Sequence, residues 1–320
     1  MIQRAATKDQ LRPYKGPCDG IILIDKNKEE TSFDVVKRLR KILGLKKVGH
    51  SGTLDPFATG LLLILLGQGT KLFPYLMKGE KRYLATMRLG IETDTLDPTG
   101  RVVDTRPLPE LVPEEIEKNI LKFVGDIEQV PPAFSAVNYK GSRAYKFARE
   151  GIKVDLKKRA VTIHSLEIIS IDLPEITMEI TCSGGTYVRS LAADMGKQLG
   201  SIAHLSSLRR LSSGPFQVKN ALSSSQIDSA SANRPLEDKV IALKDALPDM
   251  NEALIGTETA KKIRNGYRPR WEEVMDGAAF PEIYEGFVKL VNRNSLVAVM
   301  EVGHLSGDDK GWLKSIRVFN

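Results

Sequence analysis

The chain has 320 residues, 42% hydrophobic and 27% charged, with 47 Lys and Arg against 40 Asp and Glu for a formal charge of +7. These values leave room for a large core and two domains, and they are those of an ordinary globular protein rather than a disordered chain. The longest apolar run, Leu61–Leu66, is far below the ~20 residues of a membrane span, and Cys18 and Cys182, with no CxxC pair and no apolar leader in Met1–Lys15, point to a reducing, cytoplasmic protein.

Ile21–Ile24 reads as a short buried strand. Thr31–Leu43 predicts a helix: Thr31 and Asp34 are spaced as a capping box, Phe33, Val36, Leu39, Ile42 and Leu43 share a face, and Gly44 ends it. Lys37, Arg38 and Lys41 lie on its other face, and with Arg40, Lys46 and Lys47 they make a basic patch. Next comes Val48-Gly49-His50-Ser51-Gly52-Thr53-Leu54-Asp55-Pro56-Phe57-Ala58-Thr59-Gly60, a polar, glycine-punctuated loop that runs into Leu61–Leu66, itself suited to a buried strand or short helix. Pro56 fixes its own φ and pushes Asp55 toward extended geometry, so the Asp55 carboxylate is held in place. A held carboxylate serves as nucleophile or base, although Asp-Pro is also an ordinary turn dipeptide.

Tyr83–Leu89 predicts a strand, Glu92–Gly100 a turn-rich connection, and Pro113–Val124 a helix with proline at its start and Gly125 at its end. Gln129–Gly151 mixes Pro131-Pro132 with Tyr139, Tyr145 and Phe147 and with Lys140, Arg143, Lys146 and Arg149, a composition suited to stacking on bases and neutralising phosphates, or to a surface loop ending in a short helix. Glu175–Cys182 alternates, with Ile176, Met178, Ile180 and Cys182 on one side. Ser183–Thr186 turns that strand into a helix with apolar face Val188, Leu191, Ala192, Met195 and Leu199, which puts Arg189 in its first turn. Ser, Ala and Asn dominate Ser212–Glu237, with a local element expected at Ala221–Ile227. A domain boundary is expected near Pro248, followed by a helix at Thr257–Asn265 and strands at Phe287–Val291, Leu296–Glu301 and Lys314–Val318. A second basic cluster, Lys261, Lys262, Arg264, Arg268 and Arg270, is separated from the first, as an extended phosphate backbone would require. No internal repeat is expected.

His50, His164, His204 and His304 lack metal-ligand spacing, so no metal is expected. Gly67-Gln68-Gly69-Thr70 lacks the Gly-Lys-Ser/Thr ending of a phosphate loop, and nothing matches GxGxxG, so no nucleotide cofactor is implied. Cys182 is either a thiol nucleophile with a distant histidine or a filler of the buried face of its strand.

Gly49–Pro56 with Ala58-Thr59-Gly60, Lys81-Arg82-Tyr83, Gly90–Thr95, Gln129–Ala136 with Arg143-Ala144-Tyr145 and Ala148–Gly151, and Cys182–Leu191 together, in this order, resemble the TruB family of tRNA pseudouridine synthases. The resemblance covers about Gly20 to Phe216. It implies an α+β fold, the pseudouridine synthase fold: a mixed, mainly antiparallel sheet with flanking helices and an RNA-clasping insertion at about 127–155. The catalytic domain would occupy 1–248, and a small, mostly-β, PUA-like RNA-binding module 249–320. The implied reaction isomerises uridine 55 in the T-loop of tRNA without a cofactor, and the implied partner is the tRNA T-loop and stem, bound by a monomer with no protein partner.

Carried onto this chain, the resemblance makes Asp55 the nucleophile, Arg189 the cation that keeps it ionised and oriented, and Tyr83 the aromatic on the target base and a candidate to take the proton from C5. A tyrosine of ordinary pKa, near 10, is a weak base, so that role needs strong tuning or a different acceptor. The implied substrate contacts are His50 in the loop region, Tyr187 beside Arg189, Leu208 as an apolar wall at the uracil, and Lys26, Arg143 and Arg149 at phosphates. One departure stands out: Asp25-Lys26-Asn27 carries Asn27 where the family has proline, so the loop that follows is expected to be less rigid. The competing readings are a pseudouridine synthase acting on another RNA, including guide-dependent relatives, a tRNA-binding chaperone, and an Asp-dependent hydrolase with Asp94 as second acid.

Overall fold

Leu61–Leu66 is apolar at every position because its strand is covered on both faces, which erases the alternation of a one-sided strand. In the computed structural model, which describes residues 19–227, 236–270, 273–274, 286–303 and 313–320, this strand is β3 (Thr59–Leu66). Leu62, Ile64 and Leu66 pack into the main core with Val35, Val36 and Leu39 of the first helix. Leu61, Leu63 and Leu65 pack on the other side against Val291, Leu296, Val299 and Phe319 from the far end of the chain.

An 11-stranded sheet organises the first part of the fold. Its main path in chain order is β1 (Gly20–Lys26), β3, β4 (Lys81–Leu89), β7 (Gly125–Gln129), β10 (Arg159–Asp172), β11 (Glu175–Cys182), β12 (Ala203–Ser213) and β14 (Leu222–Ser223). In space the order is β14-β1-β3-β12-β4-β11-β10-β7, with β2 (Val48–Ser51), β13 (Phe216–Gln217) and β15 (Ile241–Ala242) joined to β3, β12 and β1. All pairings are antiparallel except β1 with β14 and β3 with β12. Two hairpins stand apart, β5 (Ile91–Thr93) with β6 (Val102–Thr105) and β8 (Asn138–Tyr139) with β9 (Ser142–Arg143). The remaining strands, β16 (Asn251–Leu254), β17 (Gly286–Asn292), β18 (Ser295–Val302) and β19 (Leu313–Val318), form a separate four-stranded sheet.

Helix α1 (Ser32–Leu43) has the expected ends: Thr31 and Asp34 form the reciprocal capping box and Gly44 closes the helix in the left-handed region. Phe33, expected on its buried face, is instead half-exposed beneath the Lys37 ammonium, 4.8 Å from the ring centre. After α2 (Phe73–Lys78), α3 (Pro113–Ile120) stops before the expected Val124, because Leu121–Phe123 tightens into a 3-10 turn. The clasp-like segment carries the β8–β9 hairpin and α4 (Ala144–Arg149), and α5 (Val188–Gln198) holds Arg189 in its first turn.

Val48–Ser51 departs from the loop expectation. It pairs with Leu63–Leu66 as β2, because the backbone hydrogen bonds of a neighbouring strand outweigh its glycine and polar content. Cys182 is fully buried on β11, and burial pushes its thiol pKa up to about 11, so the filler reading fits and the nucleophile reading does not. Cys18, His304 and part of the Ser-rich stretch, 228–235, lie outside the described residues. Among the described residues no helix is long and apolar enough to cross a membrane, and no His, Cys, Asp and Glu cluster suits a metal.

The second sheet, with α6 (Thr257–Arg264), does not hang free. Lys289 donates to the carbonyls of Lys244 (3.1 Å) and Leu247 (3.0 Å), and Lys71 donates to that of Val318 (2.6 Å). Phe319 is buried in the core shared with Ile21 and Leu61.

Candidate active site

Asp55 lies between β2 and β3, on a loop anchored at both ends. The Ser32 hydroxyl donates to the Leu54 carbonyl (3.1 Å) and accepts from the Leu54 amide (2.9 Å), which fastens the loop to the start of α1. The Pro56 carbonyl accepts from the Glu29 amide (2.7 Å), and the Ala58 amide donates to the Asp55 carbonyl (3.1 Å). Beyond the loop, Gly60 has φ of +100°, and a Cβ there would sit 2.3 Å from the Arg210 carbonyl oxygen, so only glycine lets β3 approach β12 this closely.

Lys26, expected at a phosphate, is buried instead. Its ammonium donates to the carbonyls of Asn27 (2.8 Å), Glu30 (2.6 Å) and Pro56 (3.4 Å), which gathers the turn after β1 onto the Asp55 loop. Burial lowers the Lys26 pKa from an ordinary 10.5 to about 8, with the charges of Glu30 and Asp55 opposing the fall. Between these two values the unfolded chain holds the proton and the folded protein does not, so stability from this site rises with pH from about 8 to 10.5. The urea stability of the parent relative to Lys26→Met should accordingly grow between pH 7.5 and 10, by at most about 3 kcal/mol. A difference that stays constant with pH would show that Lys26 titrates normally.

Arg189 reaches this loop from the first turn of α5. Its Nε lies 2.9 Å from Asp55 Oδ2, and its Nη2 donates to Asp55 Oδ1 at 3.2 Å, a fork-on-carboxylate pair. Nη1 donates to the Thr95 carbonyl (2.8 Å) and to Asp97 Oδ2 (3.2 Å), and Nη2 also donates to the Phe134 carbonyl (3.0 Å). One guanidinium thus joins the Asp55 loop, the turn after β5 and the base of the clasp-like segment. Asp97 is buried and saturated, because its Oδ1 accepts from Thr95 Oγ1 (2.8 Å), the Thr99 amide (2.9 Å) and Thr99 Oγ1 (2.6 Å). Asp55 keeps 31% of its side chain exposed, while Asp97 keeps 6%.

Asp97 is the partner of Arg189 that sequence reasoning missed. The signal was present: Thr53-Leu54-Asp55-Pro56 recurs as Thr95-Leu96-Asp97-Pro98, and both aspartates meet Arg189. Asp94, weighed as a second acid, instead accepts from the Arg101 amide (2.9 Å) and side chain (3.3 Å) within its own turn. With Asp97 saturated and Asp94 turned away, the paired-carboxylate hydrolase reading has no second working acid. Burial raises the Asp55 pKa above the usual carboxylate range, Arg189 pulls it down and Asp97 pushes it up. A permanently charged guanidinium in bidentate contact favours the ionised carboxylate and opposes that rise.

Tyr83 is buried on β4, with Ile180 and Arg210 as its cross-strand partners. Burial raises its phenol pKa further, and Arg210 opposes the rise by charge and hydrogen bonding. The net tuning runs against the proposed base role, since a higher pKa leaves less phenolate at neutral pH. Leu208, buried on β12, is paired with Ala85. His50 sits on β2, its pKa lowered by burial and by the Arg210 charge, with its Nδ1 buried and without a hydrogen-bond partner among the described residues.

Tyr187 is fixed through its backbone: its amide donates to Gln129 Oε1 (2.8 Å) and its carbonyl accepts from Gln129 Nε2 (3.0 Å). The Tyr187 ring packs against Val137, Ala144 and Leu156, the small core of the clasp-like segment. Gln129 is thus a second residue that composition did not single out. Arg143 and Arg149 are exposed on that segment, where Arg143 donates to the Ala136 carbonyl (2.8 Å) and Arg149 lies over the Tyr145 ring, 5.3 Å from its centre. The fold therefore brings Asp55, Arg189 and Asp97 into contact, sets Tyr83 and His50 around Arg210, and leaves Arg143 and Arg149 on a separate flap.

Residues 40–188 match the family described as TruB family pseudouridylate synthase (N terminal domain), and residues 189–255 match the tRNA pseudouridylate synthase B C-terminal domain. The chain is 42% identical over 304 residues to the tRNA pseudouridine synthase B of Geobacter sulfurreducens, covering 94% of this chain and 100% of that one. It is 41% identical to the protein of the same name in Clostridium kluyveri, over 85% of this chain and 92% of that one. Among solved structures, a chain of a Cbf5-Nop10-Gar1 complex superposes with a TM-score of 0.72 at 24% identity, covering 93% of this chain and 84% of its own, which is a likeness of fold. Sequence identity over nearly the whole chain and the shared fold agree: the chain belongs to the TruB family of pseudouridylate synthases.

Proposed function

We propose that this protein converts the T-loop uridine at tRNA position 55 to pseudouridine, with Asp55 as nucleophile. The observation that carries this reading is the Asp55–Arg189 pair: one carboxylate with accessible surface, held by a fork of hydrogen bonds from a guanidinium, in a chain of the TruB family. The target uridine flips out of the folded T-loop at a cost of about a few kcal/mol. Asp55 attacks it at C1′ of the ribose or C6 of the uracil, the C1′–N1 bond breaks with its electron pair leaving on the uracil, and the base turns. C5 then bonds to C1′ and the bond to Asp55 breaks, which returns the carboxylate; C5 loses its proton and N1 takes one up, so the product is an isomer and no cofactor is consumed.

In this reading Tyr83 packs on the uracil as a protonated phenol, and Asp55, free again after the new bond forms, takes the C5 proton. Leu208 walls the base, while His50 and Tyr187 hold the loop region. Arg143 and Arg149 on the flap meet phosphates of the T-loop and stem. Residues 249–320, which contain the four-stranded sheet and the Lys261, Lys262 and Arg264 face of α6, serve as a PUA-like RNA-binding module. The protein acts as a cytoplasmic monomer.

The test is tritium release from tRNA transcribed with C5-tritiated uridine, at enzyme excess. One equivalent per tRNA, and none from a transcript with cytidine at position 55, is the expected result. Tight binding without release would sink the isomerase reading in favour of a chaperone, and release from another RNA alone would reassign the substrate.

A further inference from the structure

Arg210 is among the largest side chains shut from solvent, with 1% of its surface exposed. It donates to two backbone carbonyls, from Nε to Leu61 (2.6 Å) and from Nη2 to Gly52 (3.1 Å), and among the described residues it forms no ion pair. Gly52 opens the turn to Asp55, and Leu61 follows it on β3, so this guanidinium spans both ends of the catalytic loop. Its cross-strand partner on β4 is Tyr83. A buried cation without a carboxylate is costly, and carbonyl contacts offset only part of that cost. Its field reaches further than its bonds: burial is the largest cause of the lowered pKa values of His50, Lys26 and Lys81, and the Arg210 charge adds to each.

We infer that Arg210 is a positioning residue for the isomerisation, tying the Asp55 loop to Tyr83 and turning the Tyr83 phenol into a hydrogen-bond donor aimed at the bound uracil. The inference rests on the isomerase reading of the site. A guanidinium donates and never accepts, so a phenol oxygen beside it is an acceptor there, and the phenol proton must find another partner. Neither of the other ionisable groups that bear on Tyr83 competes for that proton: Cys182 is a buried thiol, and the Asp55 carboxylate is engaged by Arg189. What remains is an acceptor in the cleft, and a uracil carbonyl has that chemistry. The consecutive Arg209 has a different task, pairing with Asp25 (2.6 Å) on the far side of the strand.

Arg210→Gln should slow single-turnover isomerisation by about 10²-fold while tRNA affinity stays within about threefold. Because the two side chains act as a unit, Tyr83→Phe with Arg210→Gln should lose little more than the worse single variant. With 3-fluorotyrosine incorporated and the Tyr83 resonance assigned through Tyr83→Phe, removal of the guanidinium should move the Tyr83 titration to higher pH. Arg210→Lys, which keeps the charge but cannot fork, should fall between parent and Arg210→Gln in rate and leave the titration close to the parent's; it also serves if Arg210→Gln does not fold. Losses that multiply, an unmoved resonance, or an effect confined to affinity would each overturn the inference. A parent protein that releases no tritium would instead sink the isomerase reading, and the fluorine titration would still report whether Arg210 governs Tyr83.

Discussion

Asp55→Asn will bind tRNA within about threefold of the parent and release tritium at least about 10⁴-fold more slowly in a single turnover. Binding survives because phosphate contacts, spread over exposed lysines and arginines, dominate RNA affinity. The chemistry does not, because an amide is a poor nucleophile and its NH₂ would face the donors of Arg189. The substitution also leaves Arg189 with Asp97 as its single carboxylate partner, a loss worth about 1–3 kcal/mol of stability. Circular dichroism and the urea midpoint must therefore be compared alongside the rate. Release within tenfold of the parent would remove Asp55 from the nucleophile's role.

Arg189→Met should be the most damaging substitution to the structure of the site. The side chain is 5% exposed, and its removal leaves Asp55 and Asp97 facing each other with the Thr95 and Phe134 carbonyls unsatisfied. Breaking a buried pair from one side costs about 3–5 kcal/mol, and for a chain of this size that lowers the melting temperature by about 4–8 °C. Arg189→Lys keeps the charge but cannot make the fork, so it should fold better than Arg189→Met and still lose about 10²-fold in rate. Its pH profile separates a structural effect from an electrostatic one. The Asp55 pKa is already raised by burial, and a weaker cation lets it rise further. The working form is the ionised one, which is lost as pH falls through that pKa, so the acid limb of the single-turnover rate should move to higher pH in Arg189→Lys. A profile of the parent's shape, merely scaled down, would show that Arg189 positions Asp55 without tuning it.

How much of this site could be read from the chain depended on whether the signal was local. The stiffness of the Asp55 turn follows from Pro56, and the start of α1 follows from Thr31 and Asp34, because backbone limits and capping act over a few residues. The Lys26 contacts could not be read in the same way. Lysine beside a loop has the composition of a phosphate contact, and only the closure of the turn after β1 onto Pro56 decides that its ammonium faces carbonyls. Val48–Ser51 was misjudged for a related reason, since a strand that borrows its register from a neighbour needs little propensity of its own. The missed role of Asp97 was partly legible, as the repeated Thr-Leu-Asp-Pro marks two held carboxylates without saying that they share a cation.

By itself the sequence determined most of the local elements, the held carboxylate, the burial of Leu61–Leu66 and, through motifs in order, the family. Each rests on interactions between residues close in the chain or on patterns of residue type that survive any packing. The tertiary structure alone decided that Arg189 joins Asp55 to Asp97, that Arg210 spans the Asp55 loop and stands opposite Tyr83, and that Phe319 seals the back of β3. Those contacts span 92 residues between Asp97 and Arg189 and 158 between Gly52 and Arg210, and separations of that length are set by sheet order and crossover, which no local preference encodes.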